Sequence, residues 1–292
     1  MKSSALSVAL LAALVSLVSA QGALRPDPPQ VCDDCEGWNA PRPPSKVFGN
    51  TYYVGVAGLS SVLITSDAGH ILVDGALTQS AVRIDASIRA LGFKTDDVKL
   101  IVNSHTHYDH AGGIAALQRA SGARVAASPA AAEVLRTGIP TADDPQAGYG
   151  PSTRIPAVAN VETIRDGVAI RIGPLAITPH FTPGHTPGGT TWTWQSCEGA
   201  ACKNVVYADS LTAVASPGFR YTGDSSRPSI VDTFRKSIAT VAALPCDLLI
   251  AAHPAVGEGK TCKTLAADAQ RLLDTRVAEE AQKPGTKPGP WH

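Results

Sequence analysis

Four side chains able to bind a metal fall within six residues, at His105-Thr106-His107-Tyr108-Asp109-His110. Neutral imidazoles with one carboxylate form a donor set suited to zinc. In an extended segment His105 and His107 point the same way, because successive side chains alternate between faces. A turn into the helix expected from Ala111 then swings Asp109 and His110 towards a second point. Three of the eight histidines lie in this one turn, a concentration that a loop of ordinary surface histidines seldom produces.

Two distant histidines are candidate partners. His185 sits in Pro183-Gly184-His185-Thr186-Pro187-Gly188, where glycines and prolines fix an unusual backbone, and His253 ends an apolar run before Pro254. Alone, either reads as a structural histidine; beside a four-ligand cluster both become candidate ligands. His70 follows a turn, His180 stands at a strand end and His292 lies in the tail. His180, five residues before His185, is the nearest rival for its role. The chain has no Gly-x-Ser-x-Gly elbow and no Ser-x-x-Lys set, so a serine nucleophile is not expected.

The elements that must position these groups alternate between strand and helix patterns. Strand-like runs cover Asn50–Val56, Ser60–Thr65 and Ile71–Val73. Ala81, Ile84, Ile88 and Leu91 recur at helical spacing and stop at Gly92. Val98–Asn103 is a short apolar strand running into His105. A helix is expected over Ala111–Ala120, a strand over Arg124–Ala127 and a helix over Ala130–Arg136. Residues 137–160, broken by prolines and glycines, are expected to lack regular structure; a loop of that length in a domain is usually functional, often a lid. Strands return over Val161–Thr178 and Thr190–Ala208, a helix over Val231–Leu244, a buried strand over Leu248–Ala252 and a last helix over Thr264–Ala281. This order implies a parallel or mixed sheet with packed helices. It resembles two β-then-α halves, the order of a four-layer αβ/βα sandwich, without identifying that fold alone.

Composition sets outer limits. The 292 residues carry 25 basic and 25 acidic side chains, so neither nucleic acid nor an anionic membrane surface is favoured as partner. Residues 1–20 read as an export signal: Met1-Lys2 is a positive start, Ala5 to Val18 is nearly all apolar, and Val18-Ser19-Ala20 is a small-residue cleavage pattern. The expected division is a signal at 1–20, one domain over 21–281 and a disordered tail at 282–292, with no membrane contact after cleavage and a monomeric state. Residues 21–47 are expected to run over the surface. Six cysteines suit an oxidising compartment such as the periplasm. They allow 15 pairings, among which local spacing favours Cys32–Cys35, Cys197–Cys202 and Cys246–Cys262.

The motif His105-x-His107-x-Asp109-His110 resembles the signature of the metallo-β-lactamase superfamily. Further stretches resemble its subclass B3 over nearly the whole mature chain, among them Trp38-Asn39-Ala40-Pro41, Val47–Tyr53, Ile71–Leu77, Gly184–Thr190, Tyr207-Ala208-Asp209-Ser210-Leu211 and Leu244–Ile250 leading to His253. The resemblance implies an α/β (α+β) fold, the four-layer αβ/βα sandwich. It implies two zinc ions about 3.5–4 Å apart, the spacing of two-metal hydrolases. The first would be held by His105, His107 and His185, and the second by Asp109, His110 and His253.

The implied activity is hydrolysis of the β-lactam amide bond, with Asp109 also aligning the attacking hydroxide. Asp74 is a candidate to orient a ligand or steady the metal loop. Ser210 and Thr212 are candidates to bind the substrate carboxylate, Thr212 standing where the family often has serine. If the preceding strand continues, alternation puts both hydroxyls on one face. Two rival readings bear on other classes. A thioester or lactone hydrolase of the glyoxalase II kind would use an aspartate near Asp209 to bridge the metals. A zinc-binding scaffold without catalysis would normally close one site with four ligands rather than offer six for two metals.

Overall fold

The computed structural model describes residues 24–282. The expected signal at 1–20 and the tail from 283 onward lie outside the described residues.

Among the described residues, twelve strands form two sheets. The first contains β1 Ser45–Phe48, β2 Thr51–Tyr53, β3 Val62–Ile64, β4 His70–Val73, β5 Val98–Val102, β6 Arg124–Ala127 and β7 Val161–Thr163, in that spatial order. β1 to β4 pair antiparallel, and β4 to β7 pair parallel. The second contains β8 Ile170–Ile172, β9 Leu175–Phe181, β10 Thr190–Glu198, β11 Ala201–Ala208 and β12 Leu248–Ala251. It is antiparallel except where β11 pairs with β12.

Burial on both faces of the central strands β3 to β6 explains their nearly continuous apolar runs. Val62, Ile64, Ile71, Val73, Leu100 and Val102 point inward against Ile177, Trp192, Trp194, Val205 and Tyr207 of the facing sheet. Leu63, Leu72, Ile101 and Val125 point outward, and Val206 and Ala208 do the same on the second sheet. Helices cover both outer faces. On the first lie α2 Ser80–Ala90, α4 Ile114–Ser121 and α5 Pro129–Thr137; on the second lie α6 Val231–Ala243 and α8 Cys262–Gln282. Three short helices, α1 Cys35–Trp38, α3 Tyr108–Ala111 and α7 Pro254–Gly257, sit in connections. The layers are helix, sheet, sheet, helix, the four-layer sandwich expected. No helix among the described residues is long and apolar enough to cross a membrane.

Several expected elements change. The helix expected over Ala111–Ala120 is divided at Gly112–Gly113, because the 75–78 backbone passes directly against it. A β-carbon at Gly113 would lie 2.3 Å from the carbonyl oxygen of Gly75, and one at Gly112 2.7 Å from the amide of Thr78. The 137–160 segment contains a 3-10 turn at Ala147–Thr153, and the 21–47 segment holds α1 and β1. The last helix reaches Gln282, one residue into the expected tail. The three cysteine pairs favoured by spacing are the disulfides formed: Cys32–Cys35, Cys197–Cys202 and Cys246–Cys262.

Candidate metal centre

The carboxyl ends of β5, β9, β11 and β12 converge at one rim of the sandwich, and each delivers a piece of the site. β5 ends at Val102 and the chain continues as Asn103 to His107, still extended at His107 (φ −70°, ψ 154°) before α3 begins. Trp192 clamps this segment by donating its indole N–H to Asn103 O at 2.8 Å, and Thr190 N donates to Ser104 O at 2.7 Å. α3 then presents Asp109 and His110. The loop after β9 presents His185, and β12 leads through Ala252 to His253.

These six side chains meet. One ligating atom from each of His105, His107 and His185 lies within 4.8 Å of the others, and the same holds for His105, Asp109 and His110. Asp109 Oδ2 lies 3.2 Å from both His110 Nε2 and His253 Nε2, and these two nitrogens are 3.1 Å apart. His105 stands between the two groups. All are buried except His253, whose side chain is one-quarter exposed.

The ring nitrogens facing away from the cluster are held from behind. His105 Nδ1 is 2.9 Å from Asp209 Oδ1. His107 Nε2 is 3.2 Å from Asp144 Oδ1, and His185 Nδ1 donates to Thr212 O at 2.8 Å. Such partners fix the tautomer and ring orientation of a metal-binding histidine. His105 Nε2 is buried with no protein partner, an orphan that a cation would satisfy. A convergent donor set of imidazoles and one carboxylate therefore fits zinc.

The electrostatics favour the neutral, ligating form at two of the imidazoles. Burial, reinforced by neighbouring imidazoles, pushes His105 well below the usual histidine range. Burial and then His107 bring His185 down to about 3, so both are neutral and free to ligate at neutral pH. Burial works against ionisation of Asp109, but His110 and His253 outweigh it and hold the carboxyl well below its ordinary value. Burial likewise opposes charge on His110, yet Asp109 raises its pKa.

Asp74, at φ 60°, fastens the metal loop from below. Its carboxylate accepts Ser104 N at 2.6 Å, Ser104 Oγ at 2.7 Å and Tyr207 Oη at 2.7 Å, and lies 3.7 Å from His110 Nδ1. Asp209 is not aimed between the two groups: one oxygen meets His105 and the amide of Ser210, the other Thr182 Oγ1. His180 is turned away and bonds Thr193 Oγ1 at 2.9 Å. A larger cavity of about 700 Å³ runs beside it but contains none of the six clustered side chains.

A cavity of about 230 Å³ opens over the cluster, lined by Trp38, Gln146, Ser210, Thr212, Val214 and Val256 among others. β11 ends at Ala208, so the strand does not continue and alternation is not what brings Ser210 and Thr212 together. Both line the cavity nonetheless, and Thr212 Oγ1 is 3.2 Å from His185 Nδ1. Sequence reasoning gave no role to Asp144, Gln146 or Trp38. Trp38 packs on His253 with ring centroids 5.3 Å apart and is seated on Gly58, where a β-carbon would lie 2.6 Å from its ring. Only its place in a family-like stretch marked it.

Facing sheets flanked by helices, with a metal-binding rim fed by strand ends, define a metallohydrolase class. The superfamily model described as metallo-beta-lactamase matches residues 54–196. Solved structures agree over most of the chain. MEM-A1, a subclass B3 metallo-beta-lactamase from a soil metagenome library, is 48% identical, with 84% of this chain and 99% of that one covered and a TM-score of 0.81. The Rm3 metallo-beta-lactamase is also 48% identical, with 86% and 100% covered and a TM-score of 0.83. A curated hydroxyacylglutathione hydrolase of Anaeromyxobacter dehalogenans is 29% identical over 139 residues, which is 48% of this chain and 42% of that relative. The chain belongs to subclass B3 of the metallo-β-lactamase superfamily.

Proposed function

We propose that this protein is a dizinc β-lactamase that hydrolyses the amide bond of penicillins, cephalosporins and carbapenems and so confers antibiotic resistance. The carrying observation is the convergence of five His and Asp side chains in two overlapping groups, with His253 against Asp109 and His110, under an open cavity. His105, His107 and His185 would hold one zinc, and Asp109, His110 and His253 the other. Bound there, the zinc ions supply Lewis-acid polarisation of the lactam carbonyl and a water acidic enough to attack at neutral pH.

The chain's own residues do the rest. Asp109, ionised and buried, accepts a hydrogen bond from the attacking water and aligns it. Asp209 and Asp144 hold His105 and His107 in the tautomers that present their free nitrogens. Trp38, Val214 and Val256 give apolar walls against substrate substituents. No lysine or arginine is among the described residues lining the cavity, so recognition of the substrate carboxylate falls to the hydroxyls of Ser210 and Thr212.

Export through a cleaved 1–20 signal to the periplasm is part of the same proposal, supported by three disulfides and no free cysteine among the described residues. The mature enzyme acts as a monomer. The curated relative motivates one competing reading, hydrolysis of a glutathione thioester. The test compares nitrocefin with a glutathione thioester on the zinc-loaded protein. A kcat/KM at least a hundredfold higher for nitrocefin is expected, and the reverse preference would overturn the assignment.

A further inference from the structure

The 139–152 segment touches the clustered histidines through Asp144, and its Gln146 lines the cavity above them. Asp144 is 3% exposed and brings Oδ1 to 3.2 Å from His107 Nε2, while the same oxygen accepts the amide of Gln146 at 2.7 Å. This leaves His107 Nδ1 for the cluster. The neighbouring Asp143 is exposed.

The same segment is laced to the opposite wall of the cavity. Ser216 donates to Pro145 O through both N (2.9 Å) and Oγ (3.0 Å), and Tyr149 Oη donates to Ala215 O at 3.0 Å. The loop bearing Ala215 and Ser216 also bears Thr212, whose carbonyl holds His185. A path of bonded groups and short backbone thus runs from His107 through Asp144 and Ser216 to His185, joining two rings of one metal group from outside. Ile139 and Tyr149 are half exposed, so this part of the segment is held more by these polar contacts than by a core of its own.

We propose that Asp144 is a positioning residue that couples the seating of the 139–152 segment to occupancy of the His105/His107/His185 metal position. The inference rests on the metal-centre reading above. An imidazole that shares one nitrogen's lone pair with a cation donates more strongly through its other N–H, so its bond to the buried carboxylate strengthens. Coupling of this kind is reciprocal: the factor by which zinc favours the seated segment is the factor by which seating raises zinc affinity. Asp144 therefore does more than brace a ligand. It lets bound metal stabilise a wall of the substrate cavity, and lets that wall in turn stabilise bound metal.

The test uses wild type, Asp144→Ala, Asp144→Asn and Asp143→Asn, each with and without zinc. Zinc affinity is read by competition with a chromophoric chelator, and backbone amide exchange is read across 139–152. In wild type and Asp143→Asn, zinc slows exchange in this segment. Asp144→Ala loses that zinc-dependent slowing and binds zinc about ten- to a hundredfold more weakly. Asp144→Asn, which keeps the shape and one acceptor, falls between and decides the matter should Asp144→Ala fail to fold. Unchanged zinc affinity in the Asp144 variants, or wild-type exchange indifferent to zinc, overturns the coupling. A wild type that binds no zinc contradicts the metal centre itself, a separate failure.

Discussion

At the scale of residues, the cluster joins ligands adjacent in the chain to supporting groups gathered from far along it, Asp74 among them. His105, His107, Asp109 and His110 stand together in the chain, so residue type and spacing expose them. Asp144, Asp209 and the Thr212 carbonyl reach the imidazoles only through tertiary folding, and neither an aspartate nor a backbone oxygen carries a spacing signal. Because His185 lies in the cluster while His180 bonds Thr193 elsewhere, metal analysis should separate them. His185→Ala and His253→Ala should each lose about one zinc equivalent, whereas His180→Ala should keep wild-type content. Zinc loss in His180→Ala with retention in His185→Ala would refute the assignment. Thr212→Val tests the carboxylate contact. Loss of a charge-assisted hydrogen bond costs about 1.5–3 kcal/mol, so KM for carboxylate-bearing substrates should rise about tenfold or more. His185 keeps its 2.8 Å bond to the Thr212 carbonyl in this variant, so zinc content should hold. A lowered Tm with unchanged KM would assign the hydroxyl to the fold alone.

At the scale of elements, strand positions were readable because burial on both faces leaves short apolar runs, and the ends of those runs locate the site. Close backbone crossings were harder to read. Gly112 and Gly113 look like tolerable residues inside one helix until the 75–78 chain is found against them. Gly184 is a related case: its φ is 156°, and a β-carbon there would lie 2.2 Å from a ring carbon of Phe234 in α6. Gly184→Ala should therefore push the His185 loop off α6. Overpacking of this kind costs about 1–3 kcal/mol. Thermal melts and zinc titration of the variant should show a lowered Tm together with weakened binding of one zinc. A variant matching wild type in both would mean that Gly184 does not set the position of His185.

At the scale of the whole molecule, the four-layer order could be suspected from the rhythm of elements, but the facing of the two sheets depends on inward residues such as Trp192 and Tyr207 meeting Val73 and Val102. The rim they support holds several buried ionisable groups, which makes the metal-free protein sensitive to pH. His185 is held at about 3 in the fold by burial and His107, against about 6.5 unfolded. The unfolded chain binds this proton first, so the contribution of His185 is complete above pH 6.5 and is lost as pH falls towards 3. Its slope is about 1.4 kcal/mol per unit. Burial raises Asp74 and Asp209 and works in the opposite direction, so the informative quantity is the difference from His185→Gln. Metal-free wild type should lose Tm more steeply than that variant below pH 6.5; parallel profiles would contradict buried neutrality of His185. The central claim, that a bound metal pair performs the hydrolysis, is tested most directly by following nitrocefin turnover of the purified protein through removal of metal and its return. Dialysis against EDTA should abolish turnover, and zinc should restore it as occupancy approaches two ions per chain. Turnover that survives with no metal bound, or zinc-loaded protein that leaves nitrocefin intact, would contradict it.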